Sequence, residues 1–416
     1  MTRRIAAAAT ALLIAALAAP AHAEPAPEPA PEPADNAAKA ANDADDPTII
    51  LVTMGVGALI WERHGHIALC VEYRDHARDA CYNYGIGDFH HPIEMAWGFF
   101  RGTGSFWVGK SSVGDMLSIY KYADRTIWAQ PLPLSQDEKR KVIDKLEYDI
   151  LDEHKYYAYD HFWDNCTTRV RDVINTATGG KLSAMTEPTD GRTFRDLARE
   201  GFFGMRIPLL ITDIAMGRFT DRPPTYYERM FLPQYLREAV TKLWGVQPSV
   251  VYERKGPPPL PDGPSGRVLL ALVILAMTSP AWITRLIGRA QRAGLAVAVV
   301  PYVVLGTVLT GLAILSPLPY IRWNETCLVL LPLDLLVLVL PEARRRGYAR
   351  VRIAMLAVLL VLQLVGVLTQ PLTAELLWPA IPLAVVGFWP PRPSRVGQID
   401  GEPAAGARRA RPRRKR

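Results

Sequence analysis

Asp164-Asn165-Cys166-Thr167-Thr168-Arg169 places a cysteine where a helix should begin. Asp164 and Asn165 are favourable N-cap residues. Val170, Val173, Ile174 and Ala177 then recur at the spacing of one apolar helix face, before Gly179-Gly180 closes the run. Cys166 falls in the first turn, where free amides and the positive end of the helix dipole favour a thiolate over a thiol of ordinary pKa about 8.5. Well upstream, Gly65-His66 stands on a predicted strand. Together they suggest a thiolate nucleophile with a histidine base. Each feature alone has an ordinary structural explanation, since Asn-Cys occurs at helix starts by chance and a strand histidine is more often packed or on the surface. Compartment strengthens the pair, because an unpaired cysteine is unusual in an exported domain.

Export is written at the N-terminus. Arg3 and Arg4 form a basic start, residues 5–19 an apolar core, and Ala21-His22-Ala23 a small-residue cleavage site, so residues 1–23 read as a signal peptide. No cysteine follows the apolar core, which argues against a lipoprotein signal; an uncleaved anchor would give the same orientation. Residues 24–47 are rich in Pro, Ala and acidic residues, with almost no large apolar side chain, and are expected to form a disordered linker. A compact domain is expected over residues 48–255. Its strand-like runs are 49–53, 67–73, 81–84 and 127–131. Ser135-Gln136-Asp137-Glu138 is a capping box, and Val142, Leu146 and Ile150 at four-residue intervals predict the amphipathic helix behind it. Further helices are expected over 195–199, 209–216 and 233–243.

Beyond a Pro-rich boundary at 256–266, the apolar runs approach the roughly 20 residues that cross a bilayer. About five spans are expected, over 268–287, 295–315, 327–340, 353–368 and 372–389, giving a membrane domain of 267–390 and a basic tail of 391–416. Arg285, Arg289 and Arg292 follow the first span, five arginines lie in 344–352, and 408–416 is again basic, whereas the intervening turns are nearly uncharged. The positive-inside rule then places the C-terminus in the cytoplasm and the 48–255 domain outside it. The net charge of +7 mostly reflects these arginines, so it reads as membrane-adjacent basicity and not as a nucleic-acid signal.

Cys70 and Cys81 lie on two strands joined by the polar stretch 72–79. An antiparallel hairpin would set them opposite each other and let them oxidise; the alternative is two small buried apolar side chains. If they are opposite, Ala68 faces Asn83 and His66 faces Gly85. Asn83 is then diagonal to His66 and placed to hold one imidazole nitrogen while the other faces a thiol. Cys166 has no partner in this domain, and Cys327 falls in a span.

The runs Gly65-His66-Ile67-Ala68-Leu69, Tyr82-Asn83-Tyr84-Gly85, Phe106-Trp107-Val108-Gly109 and Met230-Phe231-Leu232-Pro233, with the segment from Tyr157 through Cys166 to Asp172, resemble the N-terminal periplasmic domain of the Lnb-type lipoprotein N-acyltransferases. That family also carries about five C-terminal membrane spans. The resemblance covers most of the exported domain and is only topological in the membrane part. It implies an α+β, circularly permuted papain-like fold of the NlpC type, with Cys166 as nucleophile, His66 as base and Asn83 as a third member. The implied reaction moves an acyl chain from a membrane phospholipid, through a Cys166 thioester, to the amino-terminal cysteine of a lipoprotein at the outer face of the inner membrane. The Cys166 amide, with Asn165 or Tyr157, would face the oxyanion. No cofactor, metal or nucleic acid is called for. Competing classes are a membrane-anchored cysteine peptidase or amidase, an envelope phospholipase, and a non-catalytic ligand-binding sensor. A metal hydrolase would use His64 and His66 on one strand face with Asp88, His90 and His91, although no HExxH or comparable spacing is present.

Overall fold

The computed structural model describes residues 46–88, 90–257 and 266–389. The expected signal peptide, the linker up to residue 45, the boundary residues 258–265 and the basic tail lie outside them. Seven strands, β1 (Thr48–Met54), β2 (His66–Glu72), β3 (Ala80–Ile86), β4 (Ser105–Ser111), β5 (Ile127–Pro131), β6 (Tyr156–Ala158) and β7 (Ser249–Tyr252), form one sheet in the order β6-β4-β3-β2-β1-β5-β7. Every neighbouring pair is antiparallel. Alternation along β1 explains why both faces are covered: Ile49 and Leu51 enter a core with Val142, Leu146, Val170 and Ile174, whereas Val52 and Met54 meet Ala68, Met116 and Ile127.

The helices of this α+β domain are α1 (Pro92–Phe100), α2 (Val113–Tyr122), α3 (Gln136–Asp149), α4 (Cys166–Ala177), α5 (Phe194–Glu200), α6 (Arg206–Ala215) and α7 (Pro233–Trp244). The Ser135 capping box starts α3 as expected, and its Val142 and Leu146 are fully buried; Ile150 is the C-cap. The four anticipated strand runs fall on β1, β2, β3 and β5, with 67–73 running one residue past β2, whereas β4, β6, β7, α1 and α2 were not anticipated.

Cys70 and Cys81 are directly opposite in the β2–β3 ladder and are joined as a disulfide. The pairing stops at Leu69–Tyr82, so the expected Ala68–Asn83 and His66–Gly85 pairs do not form. Between Asn83 and Ile86 the pairing of β3 with β4 is irregular, and Gly85 takes a positive φ of 84°. β2 and β3 therefore splay apart at the end that carries His66.

Among the described residues, three helices are long and apolar enough to cross a membrane: α8 (Gly266–Ile287), α9 (Gln291–Leu315) and α10 (Glu342–Leu364). The apolar helix α11 (Thr373–Phe388) has 16 residues, so it spans about 24 Å at 1.5 Å per residue, short of a hydrocarbon core of about 30 Å. The expectation of about five spanning helices is corrected at 327–340, which is not one helix. It breaks into the short turns Thr326–Val329, Pro332–Leu335 and Leu336–Val339. Pro332 cannot donate a ladder hydrogen bond, and the buried Asp334 is held by Arg352 of α10 at 2.7 and 3.0 Å.

Sheet domain and apolar helices belong to one compact unit. α6 packs on α8, and its Leu210 and Ile214 join the core of the helical bundle. Asn324 donates to the carbonyls of Ile214 and Ala215 at 2.8 and 3.1 Å, and Gln370 donates to that of Met216 at 3.0 Å. These contacts join residues on the two sides of the boundary expected at 256–266.

Candidate active site

Cys166 is the first residue of α4, and Asn165 is its N-cap. Asn165 Oδ1 accepts the amides of Thr167 and Thr168 at 2.7 and 2.9 Å. Its Nδ2 donates to the carbonyls of His161 and Phe231 at 2.6 and 3.0 Å. Both amide hydrogens are committed, so the expectation that Asn165 donates to an oxyanion is corrected: the residue fixes the helix start. Asp164 holds Arg169 at 2.5 and 2.7 Å, and the Arg169 guanidinium lies 4.0 Å from the Tyr157 ring centroid.

Cys166 sits against the opened strand ends. A Cβ on Gly85 would lie 3.2 Å from Cys166 Cβ and 3.6 Å from Tyr157 Oη, so only glycine admits this approach without displacement. The sulfur lies 3.8 Å from Thr167 Oγ1 and meets the backbone amides of Thr167 and Ile67. No β2–β3 pair forms at Ile67, where the ladder has already ended. Tyr157 is buried, and its hydroxyl oxygen meets the Gly85 backbone amide, while its own O–H has no acceptor among the described residues. A hydroxyl proton left without an acceptor beside Cys166 is available to a developing oxyanion. The Cys166 amide, at the first helical position, has no acceptor within its own helix.

His66 begins β2, and its ring stacks on Tyr120 of α2 at 5.8 Å. Buried Asn83 faces the imidazole and favours its protonated form. Burial, reinforced by the nearby Arg125 cation, outweighs this and holds the His66 pKa well below its ordinary value. Burial likewise pushes the Cys166 thiol up, against the lowering by Thr167, Arg125 and the Ile67 amide. The expected depressed thiol pKa is therefore not found: burial holds the Cys166 thiol above its ordinary value and the His66 imidazole below its own. No hydrogen bond joins them among the described residues.

The grouping required for a metal hydrolase is not formed. His64 lies in the turn before β2, not on a strand face with His66; its Nε2 is 2.9 Å from the Ala198 carbonyl and its ring stands edge-on to His161 and Phe202. His90 pairs with Asp88 at 2.8 Å on an exposed loop. Among the described residues no three His, Cys, Asp or Glu side chains group to hold a metal ion.

Two contributors were absent from the sequence reading. One is the Ile67 amide, which only the splayed sheet frees. The other is Arg125, 3% exposed, whose Nε donates to the Gly55 carbonyl at 2.8 Å and whose guanidinium lies 5.0 Å from the Tyr120 ring centroid. No local pattern marks an arginine in the connection ahead of β5 as part of a site.

Residues 34–200, which include His66, Asn83, Tyr157, Asn165 and Cys166, match the family model described as the Lnb N-terminal periplasmic domain. Neither the curated proteins nor the solved structures give a match. Residues 34–200 thus match an Lnb N-terminal periplasmic domain, and C-terminal to them the described residues carry three helices of membrane-crossing length.

Proposed function

We propose that the protein is a lipoprotein N-acyltransferase with Cys166 as nucleophile, its catalytic domain periplasmic and its C-terminus cytoplasmic. The observation that carries this reading is the join between site and bundle. The loop at 160–164, immediately ahead of Cys166, places Phe162 and Trp163 against Tyr320 in the turn that follows α9. A thiol held at the end of a membrane bundle suits an ester carbonyl in the bilayer interface better than a soluble peptide.

In this mechanism the Cys166 thiol passes its proton to neutral His66, and the sulfur attacks the acyl ester carbonyl of a phospholipid. Asn83 stabilises the imidazolium that forms, and the Cys166 amide with the Tyr157 hydroxyl receives the oxyanion. Collapse breaks the ester C–O bond, and His66 returns the proton to the lysophospholipid oxygen, leaving a Cys166 thioester. The α-amino group of the lipoprotein's terminal cysteine then attacks this thioester. His66 takes the amine proton and delivers it to the departing sulfur, which restores the thiol.

Intact mass of protein incubated with phospholipid should show an acyl adduct that neutral hydroxylamine removes. Cys166→Ser should lose the labile adduct. His66→Ala should form it about 100- to 10,000-fold more slowly, the usual contribution of a general base. An adduct of unchanged lability in Cys166→Ser removes the nucleophile from the scheme. Turnover to free fatty acid with an acceptor lipoprotein present identifies a phospholipase instead.

A further inference from the structure

Several large apolar side chains of the periplasmic domain are exposed close to the ends of the apolar helices. In α1, Ile93 is 85% exposed and Trp97 47% exposed. The same helix sets Phe99 6.4 Å from the ring of Tyr159, near the nucleophile loop. Just after α1, Gly102 seats against the turn beyond α9: a Cβ there would lie 2.8 Å from Pro317 Cγ and 3.3 Å from Leu318 Cδ2. α1 is therefore fixed beside the end of a span.

A second apolar segment lies in the β1–β2 connection, where Leu59 and Ile60 are exposed. Arg63 ties this connection to the carbonyls of Gly201 and Phe203 at 2.7 and 3.1 Å, immediately ahead of α6. α6 packs on α8 and turns Ile207 outward at 71% exposure. Arg101 and Arg206 are exposed next to these two segments. Apolar side chains that continue the belt of membrane helices, with a tryptophan and flanking arginines, have the composition of a bilayer interface, where aromatic rings sit at headgroup depth and arginine meets phosphate.

We propose that α1 and the Leu59–Ile60 connection with α6 are two arms that lie in the outer leaflet, on either side of the Cys166 site, and that phospholipid enters between them. The occupant of this surface is the lipid bilayer. The proposal rests on the reading of the apolar helices as membrane spans, and extends it to parts of the periplasmic domain that carry no span.

Full-length protein bearing Cys166→Ser and Cys327→Ser would be labelled with an environment-sensitive fluorophore at Ile93→Cys, Ile60→Cys, Lys181→Cys or Val304→Cys, in vesicles of phosphatidylethanolamine and phosphatidylglycerol. Quenching by lipids with a nitroxide at the headgroup or at mid-chain reads depth. Labels at 93 and 60 should be quenched by the headgroup nitroxide at least about threefold more than the label at 181, which lies beyond the far end of α4, while Val304 on α9 responds to the mid-chain nitroxide. Quenching at 93 and 60 no stronger than at 181, with Val304 quenched, overturns the arms and leaves the spans intact. Loss of quenching at Val304 as well overturns both. Because the nucleophile is absent throughout, failure of the acyl-transfer reading does not change these results.

Discussion

At Asn165 one side chain bridges three segments: the first turn of α4, the loop at His161 and the turn at Phe231. Asn165→Ala should lower stability by about 1–2 kcal/mol through the lost cap alone, with a further cost from two carbonyls left without their donor. Asn165→Asp keeps the acceptor and loses both donors, so it should keep the cap yet, in the proposed reaction, slow acylation of Cys166; a rate equal to wild type would show that the Phe231 link does not aim Cys166. Gly85→Ala should be worse than its size suggests, because its φ is left-handed and the new Cβ meets Cys166 Cβ at 3.2 Å. Alkylation of Cys166 offers a test of its protonation state. Since burial holds the thiol above its ordinary value, the rate should still be climbing as pH rises past about 8.5, with no plateau at neutral pH. Arg125→Met should move that rise to still higher pH, because a nearby cation favours the thiolate. A plateau reached below pH 7 in the wild-type protein would instead indicate a resting thiolate–imidazolium pair.

Elements were legible where a local pattern carried them. The Ser135 capping box and the apolar stripe of α4 are local, and both helices start where those signals put them. β4 is different: only Phe106 and Val108 are buried along it, and β6 is three residues long, so neither offers a run long enough to read. In α1 apolar residues face outward as well as inward, which erases the helical periodicity. The third expected span failed for another reason. Composition over 327–340 satisfies a span, but Pro332 and Asp334 interrupt it, and Arg352 in the next helix is the matching signal. This pair should dominate the stability of the broken segment. Asp334→Ala leaves a buried guanidinium unpaired and should cost about 3–5 kcal/mol, whereas Asp334→Leu combined with Arg352→Met should recover most of it. Thermal unfolding in nanodiscs checks both; equal losses in the single and double variants would mean that the pair contributes shape and not charge compensation.

At the scale of the whole molecule, Cys166 and His66 were candidates from chain chemistry, and Asn83 faces His66 although the strand register that suggested it does not form; the link between site and bundle was not legible, because it is made by residues far apart in sequence. Asp160 accepts the amides of Phe162 and Trp163 at 2.9 and 3.1 Å, and its backbone exchanges hydrogen bonds with that of Asp164. The loop so tightened is clamped from the bundle side by Tyr320, parallel to Trp163 at 6.0 Å and edge-on to Phe162 at 5.0 Å. Any shift of the turn after α9 must therefore reach the residue that precedes the N-cap. Tyr320→Ala should cost about 3–5 kcal/mol as a buried aromatic truncation, and it should also slow formation of the hydroxylamine-labile adduct, while Tyr320→Phe keeps the ring contacts and most of the rate. Because stability and rate would fall together in a merely structural role, the deciding measurement is a double-mutant cycle on the acylation rate between Tyr320→Ala and Phe162→Ala. Coupling of about 1 kcal/mol in the activation free energy is expected for contacting rings. Additive effects in folded protein would reduce the bundle to an anchor, since the clamp would then transmit nothing to Cys166.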